Sequence, residues 1–338
     1  MMKMYKAALI GCGKRGLENA LAISETPNME LVALSDPSTE NANAVNEECG
    51  SEATTIYADH RKMLEKEQPD FCAICVWTGL HLPLFRDCAE AGVKAVFLEK
   101  PMAGTWYDSK EIARIAEETG CQLFLSHQRR FNHGNQLARQ MFAEGLFGDI
   151  LRLDLYSPCG LLDCGTHTLD QAFSYLGDEV GVQWVHGAID VSDINELFGV
   201  PEASFFSGHL MYDNGILGSI FCKTFPGQDH WTGLKVFGTK GFMEFGWGGD
   251  VSRYTIYDQP DFTPPEIDTD TDDPLLKSYE SIVESMETGT KSPLDYHNSL
   301  RATEVVFALY ESVRTNRRID LPLKGVEGHP LKEMLGDA

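Results

Sequence analysis

Basic residues are scarce in this sequence. Its 338 residues include 28 lysines and arginines against 51 aspartates and glutamates, a formal charge of −23. So acidic a chain lacks the basic face of a general nucleic-acid binder and the polybasic segment of a membrane-surface protein. Long apolar runs are missing as well, since none approaches the ~18 residues that a membrane-spanning helix needs. There is no cysteine framework: nine cysteines, an odd number, stand at scattered spacings. Residues 1–6 run straight into an apolar strand pattern, without the basic start, apolar stretch and small-residue cleavage site of a secretory leader. These absences lead to the expectation of a reduced, cytoplasmic protein that binds neither nucleic acid nor membrane. They leave a neutral small-molecule substrate open, because net charge bears on solubility and encounter rather than on fold.

What is present is enough apolar residue, 43%, for real cores, on a length that suggests about two domains. Up to residue 126 short apolar runs alternate with helical stretches. Strands are expected at 5–10, 30–35, 54–57, 71–76, 93–98 and 122–126. Helices are expected at 15–25, 39–49, 59–68, 82–91 and 109–119, with Asp59 as an N-cap. This alternation predicts βαβ units and a parallel sheet. Beyond it, helices at 135–145 and 165–176 accompany longer strands at 150–156, 182–189, 204–212, 216–223, 233–237 and 242–245. Asp213-Asn214-Gly215 makes a hairpin turn, and two helices at 275–287 and 299–316 close the chain. The expected architecture is α/β: a Rossmann domain over 1–126, then an α+β domain over 127–338 with a large open, mostly antiparallel sheet. The acidic stretch 261–273 reads as a solvated loop. It lacks the central glycine and closing glutamate of a Ca²⁺ loop.

Gly11-Cys12-Gly13-Lys14-Arg15-Gly16 is G-x-G-x-x-G, placed after a strand and opening a helix, the context that dinucleotide binding needs. The first glycine permits the tight turn, the second lets the backbone approach a pyrophosphate, and the third lets helix and strand pack closely. Asp36 follows 20 residues after Gly16, at the end of the second strand. A carboxylate there accepts from both ribose hydroxyls and repels a 2′-phosphate, which favours NAD over NADP. Lys14 and Arg15 pull the other way, since either could reach a 2′-phosphate.

Glu99-Lys100-Pro101 closes the fifth strand, and the carboxyl ends of strands face the ligand crevice of an open parallel sheet. A lysine there, after three apolar residues, is partly desolvated and suited to proton chemistry. A surface lysine at a strand end is the plainer reading. Asp163, His167 and Asp170 fall at i, i+4 and i+7 of a helix, on one face. Histidine is the usual acid/base near neutral pH, and a capped helix start is the alternative. Cys159, Cys164 and His167 have irregular spacing and no fourth ligand, so no metal is expected. Cys72 and Cys75 lie inside an apolar strand and read as small buried side chains.

The sequence resembles the glucose–fructose oxidoreductase / inositol dehydrogenase (Gfo/Idh/MocA) family. The residues that carry the likeness run through the whole chain. They are the glycine turn with Ser35-Asp36-Pro37, Leu80-His81, Ala91-Gly92-Val93 leading to Glu99-Lys100-Pro101, His127-Gln128-Arg129-Arg130-Phe131, Glu144-Gly145 with Gly148-Asp149-Ile150, Asp163-Cys164-Gly165-Thr166-His167 with Asp170, and Gly238-Thr239-Lys240-Gly241. The resemblance implies a Rossmann domain followed by an α+β domain whose open sheet often makes an oligomer interface. It implies catalytic roles for Lys100, Asp163 and His167. It implies cofactor contacts from Gly11, Cys12, Gly13, Lys14, Arg15, Gly16, Asp36, Trp77, Thr78, His81, Glu99, Lys100 and Gln128. Two departures stand out. Val76-Trp77-Thr78-Gly79 replaces the Thr-Pro-Asn of many relatives, and 157–162 carries a single glycine, Gly160, where many have a cluster.

The expected function is hydride transfer between NAD(P) and a hydroxyl/carbonyl of a polyhydroxylated small molecule: a sugar, polyol or cyclitol. A non-catalytic dinucleotide-dependent sensor and a redox-neutral, NAD-dependent glycosidase are the alternatives. Tyr156, Arg129, His230 and Trp231 are candidates for specificity. The apolar hairpin 204–223 predicts a homodimer or homotetramer.

Overall fold

The computed structural model describes residues 3–49, 54–223, 233–268 and 273–336. His230, Trp231 and residues 269–272 of the acidic loop lie outside them. The first half alternates as its pattern predicts: β1 (Tyr5–Ile10), α1 (Lys14–Glu25), β2 (Met29–Ser35), α2 (Thr39–Cys49), β3 (Thr55–Tyr57), α3 (His60–Glu67), β4 (Phe71–Ile74), α4 (His81–Glu90), β5 (Ala95–Leu98), α5 (Trp106–Thr119) and β6 (Gln122–Leu125). All six strands are parallel, in the order β3-β2-β1-β4-β5-β6. β4 and β5 are buried at every position, as strands covered on both faces must be. Asp59 caps α3 by accepting from the Arg61 N–H at 3.0 Å. The strand order reverses direction between β1 and β4, the switch point at which ligands bind in such sheets.

The second half holds α6 (His133–Ala143), β7 (Ile150–Ser157), α7 (Cys164–Leu176), β8 (Val182–Leu197), β9 (Val200–Tyr212), β10 (Leu217–Lys223), β11 (Gly233–Gly238), β12 (Gly241–Gly246), β13 (Val251–Ile256), α8 (Pro274–Thr288), α9 (Tyr296–Thr315), β14 (Ile319–Asp320) and α10 (Pro330–Leu335). Eight strands form one sheet, β13-β12-β11-β7-β10-β9-β8-β14. Every pair is antiparallel except β7 with β10. The Asp213-Asn214-Gly215 turn joins β9 to β10, with Gly215 at φ +86°. Leu153 and Leu155 of β7 share a core with Leu169 and Phe173 of α7.

The chain divides into two compact units. One comprises Met1–Gly104, Asp108–Gln128 and Asp273–His297, the other Thr105–Tyr107, Arg129–Asp272 and Asn298–Ala338. A single crossing near residue 126 does not describe this division, because α8 returns to the first unit. The cause is Tyr279. Its ring is fully buried, meets Phe71 and Phe97 edge-on at 5.8 and 5.2 Å, and its hydroxyl donates to Asn19 at 2.6 Å.

Candidate functional site

The glycine turn sits between the end of β1 and α1, whose N-cap is Gly13. A side chain on Gly11, at φ +94°, would strike the Cys75 carbonyl at 2.3 Å, and one on Gly16 would meet the Gly11 carbonyl at 2.1 Å. Gly13 is exposed and faces open space. Two glycines therefore serve close packing, while the middle one leaves room at the free N–H groups of α1, the arrangement that suits a pyrophosphate. Asp36 is tied to this turn: one carboxylate oxygen accepts from the Cys12 N–H at 2.8 Å and the other from the Ser38 N–H at 2.8 Å. A carboxylate has about four acceptor sites, so both oxygens keep capacity for ribose hydroxyls. These residues fit NAD. The Cys12 thiol is buried and, with Asp36 beside it, is pushed up to about 12.

Lys14 is exposed, whereas Arg15 is turned inward. Its guanidinium donates to Glu99 at 2.6 Å, to Glu18 and to Ser126 Oγ at 3.4 Å. Arg15 is committed to carboxylates, which weakens its claim on a 2′-phosphate. Glu99 is buried and accepts from Arg15, Ser126, Asn19 and the Lys100 N–H. It acts as the hub that fixes the end of β5. The Gln128 amide completes the network when its oxygen faces Arg15 at 3.1 Å and its nitrogen faces the Ser126 carbonyl at 2.6 Å. His81 is fully buried between the carbonyls of Met102 (3.2 Å) and Val76 (3.1 Å). Desolvation lowers its pKa, so the neutral ring donates to one of these carbonyls while it packs between the loops carrying Trp77 and Lys100. Thr78 is buried too, but Trp77 stands 67% exposed. Lys100 is half-buried.

In the second unit Asp163 is the N-cap residue of α7, and its side chain makes no cap bond to the helix. His167 is buried one turn on, with the Trp247 ring edge-to-face at 5.7 Å. The Arg129 guanidinium lies over that same ring at 3.9 Å. The Trp247 carbonyl accepts from Gln171 at 3.2 Å and from Arg129 at 3.4 Å. Sequence reading missed Trp247. Its signal was no more than a lone aromatic set among glycines, Gly246-Trp247-Gly248-Gly249. Asp170 belongs elsewhere: Arg130 donates to it twice, at 2.7 and 2.9 Å, both side chains buried, and this locks the Arg129–Arg130 turn to α7.

Two expectations are corrected. Tyr156 lies on the sheet face opposite Leu153 and Leu155, stacked on Phe221 at 5.7 Å, because side chains alternate along β7. It is therefore not on the face that carries α7 and His167. The chain is not entirely reduced, since Cys159 and Cys164 are paired, the turn bringing their Cα atoms to 5.7 Å, ordinary bridging distance. Cys159, Asp163 and Cys164 gather their possible ligand atoms within 4.8 Å, without His167. Paired sulfurs are not thiolates, so the cluster as it stands offers a metal only the carboxylate. Among the described residues no helix is long and apolar enough to cross a membrane.

Comparison with known proteins matches residues 5–127 to an oxidoreductase family with an NAD-binding Rossmann fold, and residues 159–321 to the C-terminal alpha/beta domain of an oxidoreductase family. An uncharacterized oxidoreductase, YrbE, of Bacillus subtilis (strain 168) is 24% identical over 339 residues, 93% of this chain and 95% of the relative. The scyllo-inositol 2-dehydrogenase (NAD(+)) of the same organism is 25% identical over 261 residues, 73% of this chain and 75% of the relative. Among solved structures, the WlbA dehydrogenase of Bordetella pertussis in complex with NADH and UDP-GlcNAcA superposes with a TM-score of 0.81. It is 22% identical, and the match covers 95% of this chain and 100% of that one.

Proposed function

The chain belongs to the Gfo/Idh/MocA oxidoreductase family, and on that premise we propose that it is an NAD-dependent dehydrogenase interconverting a hydroxyl and a carbonyl on a sugar, polyol or cyclitol. The observation that carries this reading is the glycine turn with its open middle glycine, anchored to Asp36. The first unit is the cofactor-binding part, and the second supplies the substrate contacts. Free N–H groups of α1 would hold the pyrophosphate, and Asp36 the ribose hydroxyls. When bound, NAD supplies the hydride acceptor.

The chain's own residues do the rest. His167 takes the proton of the reacting hydroxyl, and Lys100 donates a hydrogen bond to the same oxygen, stabilising the charge that develops there. Asp163 accepts from a neighbouring substrate hydroxyl or orients His167. Trp247 offers a face to the C–H side of a sugar or cyclitol, and Arg129 offers donors to its hydroxyls. The inositol dehydrogenase among the relatives supports the substrate class.

Self-association as a homodimer or homotetramer fits the half-buried aromatics Tyr156, Phe205, Phe221 and Phe237 on the sheet. Sedimentation as a monomer alone would count against it. Seven unpaired cysteines support a cytoplasmic setting. The functional test is NADH formation from NAD across a panel of aldoses, polyols and inositols. Turnover of at least one is expected. An enzyme that binds NAD yet oxidises none refutes the reading, and sugar release from a glycoside with no net NADH replaces it with redox-neutral hydrolysis.

A further inference from the structure

The turn that delivers Asp163 rests on a buried acid from another element. Glu202, on β9, is 5% exposed. One of its oxygens accepts from the Leu161 N–H at 2.8 Å and from the Tyr310 hydroxyl at 2.5 Å, and the other accepts from the Leu162 N–H at 3.0 Å. A side chain on Gly160 would lie 1.8 Å from Glu202 Cγ. The single glycine of this turn is therefore the position at which the glutamate passes beneath it. Between Gly160 and Asp163, both intervening main-chain N–H groups are committed to one carboxylate.

We propose that Glu202 is a positioning residue for Asp163, clamping the turn before α7 through the Leu161 and Leu162 amides, and that the clamp requires the carboxylate form. This rests on the reading of Asp163 as a substrate-contacting residue. A carboxylate can accept all three hydrogen bonds. Adding a proton turns one oxygen into a donor facing N–H or O–H groups, so at least one bond must break or reverse. The groups facing Glu202 set when that happens. Burial, aided by the Asp163 charge, outweighs the lowering by Tyr310 and the two amides and raises its pKa to about 7. Cys222, on β10, is a buried thiol whose own pKa burial raises. His329, whose ring lies 5.2 Å from Tyr310, is held neutral by burial with a pKa of about 4. The clamp therefore tightens as pH rises through neutrality.

Two variants of the full-length enzyme test this. Glu202→Gln keeps the size but offers one acceptor oxygen, so hydrogen exchange at the 161–162 amides should quicken at least tenfold at fixed pH. Its kcat should fall by a similar factor, with NADH affinity within about twofold of wild type. Tyr310→Phe removes one donor to the carboxylate, so the acid limb of the kcat profile should move to higher pH by at least half a unit, a shift that a purely structural role would not produce. Wild-type exchange in Glu202→Gln overturns the clamp. Faster exchange with undiminished kcat overturns the positioning role, and an unmoved limb in Tyr310→Phe overturns the need for the carboxylate form. Should Glu202→Gln fail to fold, exchange and limb in Tyr310→Phe decide. If no polyhydroxylated substrate is turned over, the dehydrogenase reading and the role for Asp163 fall together, while amide exchange separately decides whether the clamp exists.

Discussion

Replacing Asp170 by asparagine isolates one buried charge. The Arg130 side chain is 1% exposed and that of Asp170 2%, and two charge-assisted hydrogen bonds join them at 2.7 and 2.9 Å. The second carboxylate near Arg130, Asp178, is 45% exposed and contributes on the scale of a surface pair, under about 1 kcal/mol. Removing the Asp170 charge therefore leaves the guanidinium poorly compensated in the interior, which costs about 3–5 kcal/mol. At roughly 2–4 °C per kcal/mol for a unit of 150–250 residues, the unfolding temperature should fall by about 6–20 °C. Differential scanning calorimetry measures this directly. Removing both charges, as Arg130→Met with Asp170→Leu, should cost less than the two single changes summed, because no charge is stranded. A single variant within about 2 °C of wild type, or additivity in the double variant, would refute the reasoning.

Asp36→Ala should weaken NADH binding at least tenfold, about 1.4 kcal/mol, while leaving NADPH unchanged or tighter; calorimetric titration of both cofactors checks it. Trp247→Ala should lower kcat/KM roughly tenfold by removing the surface shared by Arg129 and His167, and Trp247→Phe should restore most of that loss. Glu202 gives stability a pH dependence of definite sign. Its pKa is about 7 in the fold and about 4.3 in an unfolded chain, so between these values the folded state holds a proton that the unfolded state releases. Stability is therefore highest below about pH 4.3 and falls as pH rises through 7 by on the order of 3 kcal/mol, the cost of ionising the buried acid whose carboxylate form tightens the clamp. Denaturant titrations of wild type minus Glu202→Gln should show that slope; a difference independent of pH would contradict it.

Much of this molecule is written locally. The Rossmann half is legible because each of its elements carries its own signal: buried apolar runs for β4 and β5, glycine stops after helices, Asp59 as a cap, and the G-x-G-x-x-G spacing. The return of α8 to the first unit is not legible, since it depends on Tyr279 reaching Asn19 some 260 residues away in sequence. The full length of β8 is also hidden, because its end, Asp190–Leu197, is polar and mostly exposed, without the alternation that marks a half-buried strand. In the site, the motif residues were visible as types, but several have other partners than spacing suggests. Arg15 answers Glu99, His81 answers a backbone carbonyl, and Asp170 answers Arg130. Such assignments follow from burial, which obliges a charge or a ring nitrogen to find whatever partner the fold brings near. Trp247 and Glu202 carry no motif at all and emerge only from packing.

The most direct test of the account is a rapid-mixing measurement on enzyme preloaded with NAD, using a substrate that the panel identifies and following the first turnover of NADH. Wild type should show a rapid burst. Lys100→Ala and His167→Ala should bind NAD within a few-fold of wild type yet lose the burst rate by about 100-fold or more, the scale of a missing acid/base or charge-stabilising group. A full-rate burst in either variant would contradict the assignment of hydride transfer to a site served by Lys100 and His167.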